Sequence, residues 1–147
     1  MVETVLAVLI VTAVFFGLFR LSRMLSGKIL LEHAAMRVAR ARAVGFNDFM
    51  CMKAARVSVI PVAGRRLWPD EDGSLSSAEE LARVRTYLES PDGARAQGLL
   101  EYEGWHKLSV HPGDGGWSVV SMPVDGVALE GRAGIEDGAS YYMEGGL

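Results

Sequence analysis

The sequence predicts an α+β protein with a lollipop-shaped outline: a long N-terminal hydrophobic α-helix, then a small globular head with a short helix and an antiparallel β-meander. Three observations lead to this prediction. Residues 4–19 carry no charge, residues 20–44 contain no proline, and the last third of the chain has short β-branched runs separated by glycine-containing turns. The first two features predict one uninterrupted helix, and the third predicts hairpins.

The uncharged run is close to the length of a membrane-spanning helix, which needs roughly 20 apolar residues. Counting on to Leu25, with Arg20 and Arg23 extending toward lipid headgroups, reaches that length. A cleaved secretory signal is disfavoured, because the run has no basic region before it and "RLSRMLSGK" is a poor cleavage site.

The helix is expected to continue well past the apolar run, because "ILLEHAAMRVARARAVG" is rich in strong helix formers. A helix over residues 3–44 would be about 60 Å long, which a small domain cannot cover. Its first half is therefore expected to lie in lipid or against other copies of the chain. Small residues at helical spacing would let such helices approach closely. The residues predicted to pack between copies are Leu6, Leu9, Ala13, Phe16, Gly17, Leu31, Ala34, Ala35 and Val38.

The sequence divides into a stalk of residues 1–45 and a head of residues 46–147. Gly45 is a suitable residue to end the long helix, and Asn47 can cap a short helix over residues 48–56. The following "VSVIPVAG" alternates loosely and predicts a strand. Its proline argues for a position at the edge of a sheet. The next stretch, "RRLWPDEDGS", is predicted to be a loop.

A second head helix is predicted over residues 77–90. Ser76 and Glu79 have the spacing of a capping box at its start. The apolar residues at helical spacing predict one buried face, formed by Leu81, Val84, Tyr87 and Leu88.

The last part of the chain predicts a three-stranded antiparallel meander over residues 104–110, 117–124 and 127–131. Asp125–Gly126 between the last two runs is a strong hairpin signal. The glycine-rich "DGASYYMEGGL" that follows is expected to add one more edge strand.

The sequence favours a protein that is not an enzyme and holds no cofactor. Three histidines are scattered along the chain, and there is no HExxH, CxxC or GxSxG motif. The single cysteine, Cys51, excludes an intrachain disulfide and is expected to be a small buried apolar residue.

Calcium is an alternative at "DEDGSLSSAEE", where oxygen-bearing side chains follow the spacing of a calcium loop. The simpler interpretation of this stretch is an acidic turn that leads into a capped helix, because Trp68 occupies the first ligand position. The candidate ligands are Asp70, Asp72, Ser76 and Glu79.

The net charge of −3 conceals two oppositely charged regions. Residues 20–66 hold ten Lys and Arg against two Asp and Glu. Residues 67–147 hold five Lys and Arg against fifteen Asp and Glu. These regions are either simply solvated or complementary, with the basic stalk of one copy near the acidic head of another. Nucleic acid is disfavoured as a partner, because the basic region contains no aromatic-rich motif.

Glu3 is the only charged side chain at the start of the apolar run. A carboxylate near hydrocarbon is unfavourable unless it is paired or lies in the headgroup zone. If the helices pack side by side with an axial stagger, the α-amine of Met1 in one copy can meet Glu3 of the next. Such a pair would set the register of an assembly, as buried polar groups do in helical bundles.

The first 45 residues resemble the N-terminal region of TadE-like pilins of tight-adherence pilus systems, and more broadly of type IV pilin-like subunits. The similarity lies in the glutamate that opens the apolar helix, the arginine-bearing junction after it, and "EHAAMRVARARAVG". The resemblance implies a homopolymeric extracellular filament used for adhesion. It also implies passage through the bacterial inner membrane, a prepilin peptidase that removes a short basic leader, and an assembly platform with an ATPase.

Two other functions are compatible with the same sequence. The chain is alternatively a single-pass anchored protein whose head binds a ligand or partner without polymerising. It is also compatible with a pseudopilin of a secretion machine, which would use the same chemistry as a pilin.

Overall fold

The structure is a computed structural model that describes residues 1–69, 76–90 and 98–134. The described residues form three α-helices and two antiparallel sheets, one of strands β1–β2 and one ordered β3–β4–β5. The helices are α1 (Val2–Ala43), α2 (Asp48–Ser58) and α3 (Ser77–Glu89), and the strands are β1 (Arg66–Trp68), β2 (Glu101–Tyr102), β3 (Ser109–Pro112), β4 (Trp117–Val124) and β5 (Val127–Gly134). The α+β class, the long first helix and the antiparallel meander are confirmed.

α1 ends at the predicted glycine through a Schellman motif. Gly45 has a φ of +87°, which favours glycine, and its N–H donates to the Arg42 carbonyl over 2.9 Å. The N–H of Phe46 donates to the Ala41 carbonyl over 3.0 Å. The Asn47 side chain then accepts a hydrogen bond from the Met50 N–H at 2.9 Å, so α2 starts as predicted.

The second half of α1 lies across the three-stranded sheet and forms the centre of the hydrophobic core. Alternate residues of β4, from Ser118 to Val124, are buried, as expected for a strand with one covered face. The β4–β5 hairpin closes at Asp125 (φ 50°) and Gly126 (φ 81°), two left-handed residues typical of a type I′ turn. The predicted hairpin is therefore confirmed, and β5 extends to Gly134 rather than ending at residue 131.

The backbone of β5 makes its closest approach to α1 at Gly131. A Cβ at this position would overlap the backbone of Leu31 and Glu32, which leaves room only for glycine. One turn earlier on α1, Gly27 lies against the side chains of Val124 and Leu129. Glycines on both elements thus set how closely the helix and the sheet pack.

The strand predicted for "VSVIPVAG" is wrong. α2 continues to Ser58, and a 3₁₀ turn follows at Ile60–Val62 with proline in its first positions. Cys51, Ala55 and Ser58 are buried at helical spacing, because α2 packs against α1. Tertiary packing therefore overrides the weak β propensity of this segment. The predicted burial of Cys51 is confirmed.

Two other segments also differ from the predictions. Residues 104–107 belong to a 3₁₀ helix, Glu103–Lys107, and only Ser109–Pro112 pairs with β4. The N–H of Gly104 donates to the Ala63 carbonyl at 2.6 Å, which draws this segment away from the sheet. "RRLW", predicted to be part of a loop, contains β1, which pairs with β2.

α3 begins with the predicted capping box between Ser76 and Glu79. Its predicted buried face is only partly correct. Tyr87 is buried and Val84 is partly buried, whereas Leu81 and Leu88 are exposed. α3 is anchored mainly at its C-terminal end, where the buried amine of Lys53 donates to the carbonyl and hydroxyl oxygens of Ser90.

Three aromatic rings join α3 to the segment after β2. The ring of Trp105 lies 5.2 Å from that of Tyr87 and 5.1 Å from that of Tyr102. The Tyr102 hydroxyl donates to Oε1 of Glu80 over 2.8 Å. Burial, together with this hydrogen bond to a carboxylate, raises the pKa of Tyr102 to about 12.

We expect Gly131→Ala to lower the free energy of unfolding of the head by about 1–3 kcal/mol, because the added methyl group forces helix and sheet apart. Chemical denaturation monitored by tryptophan fluorescence would measure this loss. Ala128→Val adds more volume at an exposed position of the same strand and serves as the control. Equal stability of Gly131→Ala and the native chain would contradict the close packing.

Ionisation of Tyr102 should destabilise the head in alkali. The phenol ionises near pH 10 in the unfolded chain but near 12 in the fold, so stability falls between these values. Two pKa units correspond to about 2–3 kcal/mol. Denaturation from pH 9 to about 12 should show this loss in the native chain and not in Tyr102→Phe. Parallel pH dependence of the two proteins would show that ionisation of Tyr102 does not destabilise the head.

Candidate functional site

The candidate functional site is the first half of α1, which projects away from the head. This helix is long and apolar enough to cross a membrane, and an 18-residue apolar window within it has none of its residues buried. Large side chains on all sides of it are exposed, including Leu6, Leu9, Phe16 and Phe19. An apolar surface of this extent requires an apolar environment, either lipid or other protein.

The two threonine hydroxyls of this segment are satisfied within the helix. The Thr4 hydroxyl donates to the Met1 carbonyl over 2.9 Å, and the Thr12 hydroxyl donates to the Val8 carbonyl over 2.7 Å. Because the backbone of a continuous helix pairs with itself, residues 5–19 present an apolar exterior that hydrocarbon or another helix can cover without leaving polar groups unpaired.

The residues predicted to pack between copies fall into two groups. Leu6, Leu9, Ala13, Phe16 and Gly17 are exposed along the projecting segment and are available to a neighbour. The other four have 0% exposure within a single copy, because they lie in the core of the chain's own head: Leu31, Ala34, Ala35 and Val38. In a single copy these four are therefore not exposed to a neighbour, because the small-residue stripe packs against the chain's own head.

The predicted assembly pair lies at the far end of the projecting helix. Met1 and Glu3 are exposed in its first turn. Among the residues that the structure describes, neither the α-amine of Met1 nor the carboxylate of Glu3 has a hydrogen bond or ion pair. Both charges are therefore available to partners outside the chain.

The base of the projecting segment is tied to the hairpin turn of the head. Arg20 donates to the Asp125 carbonyl at 3.3 Å, and Arg23 forms an ion pair with the Asp125 carboxylate, also at 3.3 Å. Further along α1, Lys28 donates to the Glu130 carbonyl. These contacts place two arginines at the boundary between the apolar segment and the head.

α1 is also tied to the head near its C-terminal end. Arg42 donates to the His111 carbonyl over 3.3 Å and to the buried hydroxyl of Ser118 over 3.1 Å. The direction of α1 relative to the sheet is therefore held by polar contacts at both ends of the packed region.

The calcium prediction lies partly outside the described residues, which do not include Asp70 or Asp72. Ser76 and Glu79 are occupied by their capping box, in which Glu79 accepts from the Ser76 N–H over 3.0 Å. This bond lowers the pKa of Glu79. Over residues 1–69, 76–90 and 98–134, no group of three or more His, Cys, Asp or Glu side chains is placed to hold a metal.

The three histidines lie in different places. His33 is exposed on α1, and His111 lies in β3. His106 is within 3.0 Å of the Glu101 carboxylate on the surface of the head.

Sequence reasoning missed two residues that position the apolar segment. Asp125 was recognised only as half of a turn, yet its carboxylate and carbonyl hold the two boundary arginines. Gly131 was not singled out, although a glycine inside a strand often marks a close backbone approach. The basic partners of Asp125 lie about 100 residues away in the chain, so no local pattern could reveal their pairing.

Deleting residues 2–19 should leave the head folded, because no residue of this stretch is buried. We expect the thermal unfolding midpoint to change by only a few degrees, while the protein moves from the membrane fraction to the aqueous fraction. Leu31→Ala, in the packed half of the same helix, is the control and should lower the free energy of unfolding by about 2–5 kcal/mol. Unfolding of the deletion variant would show that the projecting segment supports the head.

The chain was compared with family models, curated proteins and solved structures, and nothing matches in any of the three comparisons. The features that bear on function are an uncovered apolar helix, a carboxylate near its tip with no partner among the described residues, and a head fixed to its other half.

Proposed function

We propose that this chain is a structural pilin subunit of the type IV, tight-adherence kind. Its apolar N-terminal segment would be held in the bacterial inner membrane before assembly and in the core of an extracellular filament afterwards. The observation that carries the proposal is the complete exposure of this segment on a helix whose second half is built into the head. Adhesion or surface attachment is the use implied by the resemblance.

The construction of α1 supports this function. A helix that only anchors a head could be joined to it by a linker. Here the same helix supplies both the apolar segment and the centre of the head's core, so no linker separates the two. In a filament, that continuous helix would hold each head at a defined position on the outer surface.

The main stabilising term in such a filament would be burial of apolar helix surface against neighbouring helices. This burial contributes roughly 25 cal/mol for each Å² removed from water. The exposed Leu6, Leu9 and Phe16, with the smaller Ala13 and Gly17 among them, would form these contacts. Packing of this kind is not strongly directional, so a further interaction has to set the register.

Pairing between Met1 and Glu3 is the proposed register element. The α-amine of one copy and the Glu3 carboxylate of the next would meet when the helices are staggered along the filament axis. Both groups lie in the first turn of α1 without a described partner in their own chain. A single charge surrounded by hydrocarbon is strongly disfavoured when its partner is absent. A register that separates the amine from the carboxylate is therefore unfavourable.

Glu3→Ala should abolish filaments while the subunit stays folded and membrane-bound. Without the carboxylate, the buried amine has no partner and the register is no longer favoured. Filaments sheared from cells would be imaged and quantified, and the membrane-bound subunit measured by immunoblot. Glu32→Gln removes a carboxylate from the packed half of the same helix and should leave filament number within about twofold of the native level.

Normal filaments from Glu3→Ala would exclude Glu3 as the register element. A native chain that is confined to the membrane, and never appears in surface fibres, would exclude the pilin function altogether. That second result would favour the single-pass anchored protein.

A further inference from the structure

We propose that the outward face of α1, in the half that follows the apolar segment in the chain, is a docking surface for the acidic head of a second copy of this chain. This surface, the outward ridge, is defined by Met36, Arg37, Arg40 and Val44 of α1 with Phe46 and Leu88 beside them. The inference rests on the proposed function, since packing of the apolar segments would bring the two copies together.

The ridge is a coherent surface of the helix. Residues 36, 37, 40 and 44 fall within about 100° of one another around α1, opposite the face that covers the sheet. Beside them lies a shallow groove of about 350 Å³. Its lining is formed by Arg37, Arg40, Ala41, Val44, Phe46, Ala54 and Leu88.

Apolar side chains are more exposed here than a solvated face requires. Val44 is 73% exposed, and Met36 and Phe46 are each 52% exposed. Val44, Phe46 and Leu88 line the same groove, so they form a patch rather than standing singly on the surface. Met36 lies two turns before Val44 on the same side of α1. A contiguous apolar patch with a charged rim is typical of a protein contact site.

The basic residues of α1 divide according to the direction in which they point. Those directed at the head are engaged there: Arg20, Arg23, Lys28 and Arg42. Arg37 and Arg40 make no hydrogen bond or ion pair with any residue in the described part of the chain. Two positive charges with no partner among the described residues therefore flank the apolar patch.

Lipid headgroups cannot be the partner of these two arginines. Arg40 lies 20 residues beyond Arg20, which is about 30 Å along the helix axis. The headgroup layer on one side of a bilayer is only about 5–8 Å thick. If Arg20 and Arg23 lie at that layer, Arg37 and Arg40 lie well outside it.

A second copy supplies the required charge. Residues 67–147 carry fifteen acids against five bases, whereas residues 20–66 carry ten bases against two acids. Among the described residues of the head, Glu103 and Asp114 are exposed carboxylates without an ion pair. Within one copy, Arg23 already binds the acidic turn at Asp125. Arg37 and Arg40 would repeat this pairing across the contact between copies.

The test is photo-crosslinking of the full-length chain in membranes and in sheared filaments. A benzophenone amino acid would replace Phe46 on the ridge. As the control it would replace Leu81, an exposed apolar residue in the N-terminal half of α3, two turns before Leu88. We expect a crosslinked dimer from position 46 and little from position 81. Mass spectrometry of the dimer should locate the second attachment within residues 67–147.

Charge reversal provides the second variant. Arg37→Glu combined with Arg40→Glu should reduce the yield of the position-46 dimer at least about fivefold, because attraction becomes repulsion. Both side chains are exposed, so the thermal unfolding midpoint of the head should not change. An unchanged dimer yield would overturn the charge-based contact.

The failure of this inference can be told apart from failure of the proposed function. Filaments that form normally while position 46 gives no dimer would overturn only the inference that the ridge is a docking surface. A position-46 dimer in membranes of cells that make no filaments would overturn the pilin function and leave the ridge as a dimer contact. Attachment of position 46 only to lipid, or to an unrelated protein, would also overturn the inference.

Discussion

The architecture depends on the close approach of α1 to β5, where Gly131 lets the strand backbone lie directly against Leu31. Because the helix sits so near the sheet, small residues such as Ala34 and Ala35 are sufficient to fill the interface. The packed half of α1 is thereby held as part of the core. The unpacked half then extends from the head as a continuation of the same helix, since no break interrupts it between Val2 and Ala43.

This arrangement explains why one helix carries two opposite kinds of surface. From Gly27 onward, one face of α1 is covered by the sheet and by α2, and the remaining face is exposed and partly basic. Before Arg20 every face is exposed and apolar. Apolar burial is the dominant favourable term in both folding and association, so the effect that drives the second half into the head also favours lipid or other copies around the first.

The electrostatic contacts of α1 set its direction, and the proposed ones would set register, rather than overall stability. Exposed ion pairs such as that of Arg23 with Asp125 contribute little free energy, but they fix where the apolar segment leaves the head. The pairing proposed for Glu3, at the other end of the segment, acts in the same way between copies. The outward ridge would add a third polar contact, between the stalk of one copy and the head of another.

The sequence by itself determined the local features: the continuous apolar helix, its end at Gly45, both helix caps and the Asp125–Gly126 hairpin. These depend on neighbouring residues, so pattern and propensity suffice. Only the tertiary structure decided which side of α1 the head covers. That choice placed Leu31 and the alanines in the core, and it made the end of α2 and a 3₁₀ turn of "VSVIPVAG" instead of the predicted strand. The physical reason is that burial is a property of contacts between residues far apart in the chain, which local periodicity does not encode.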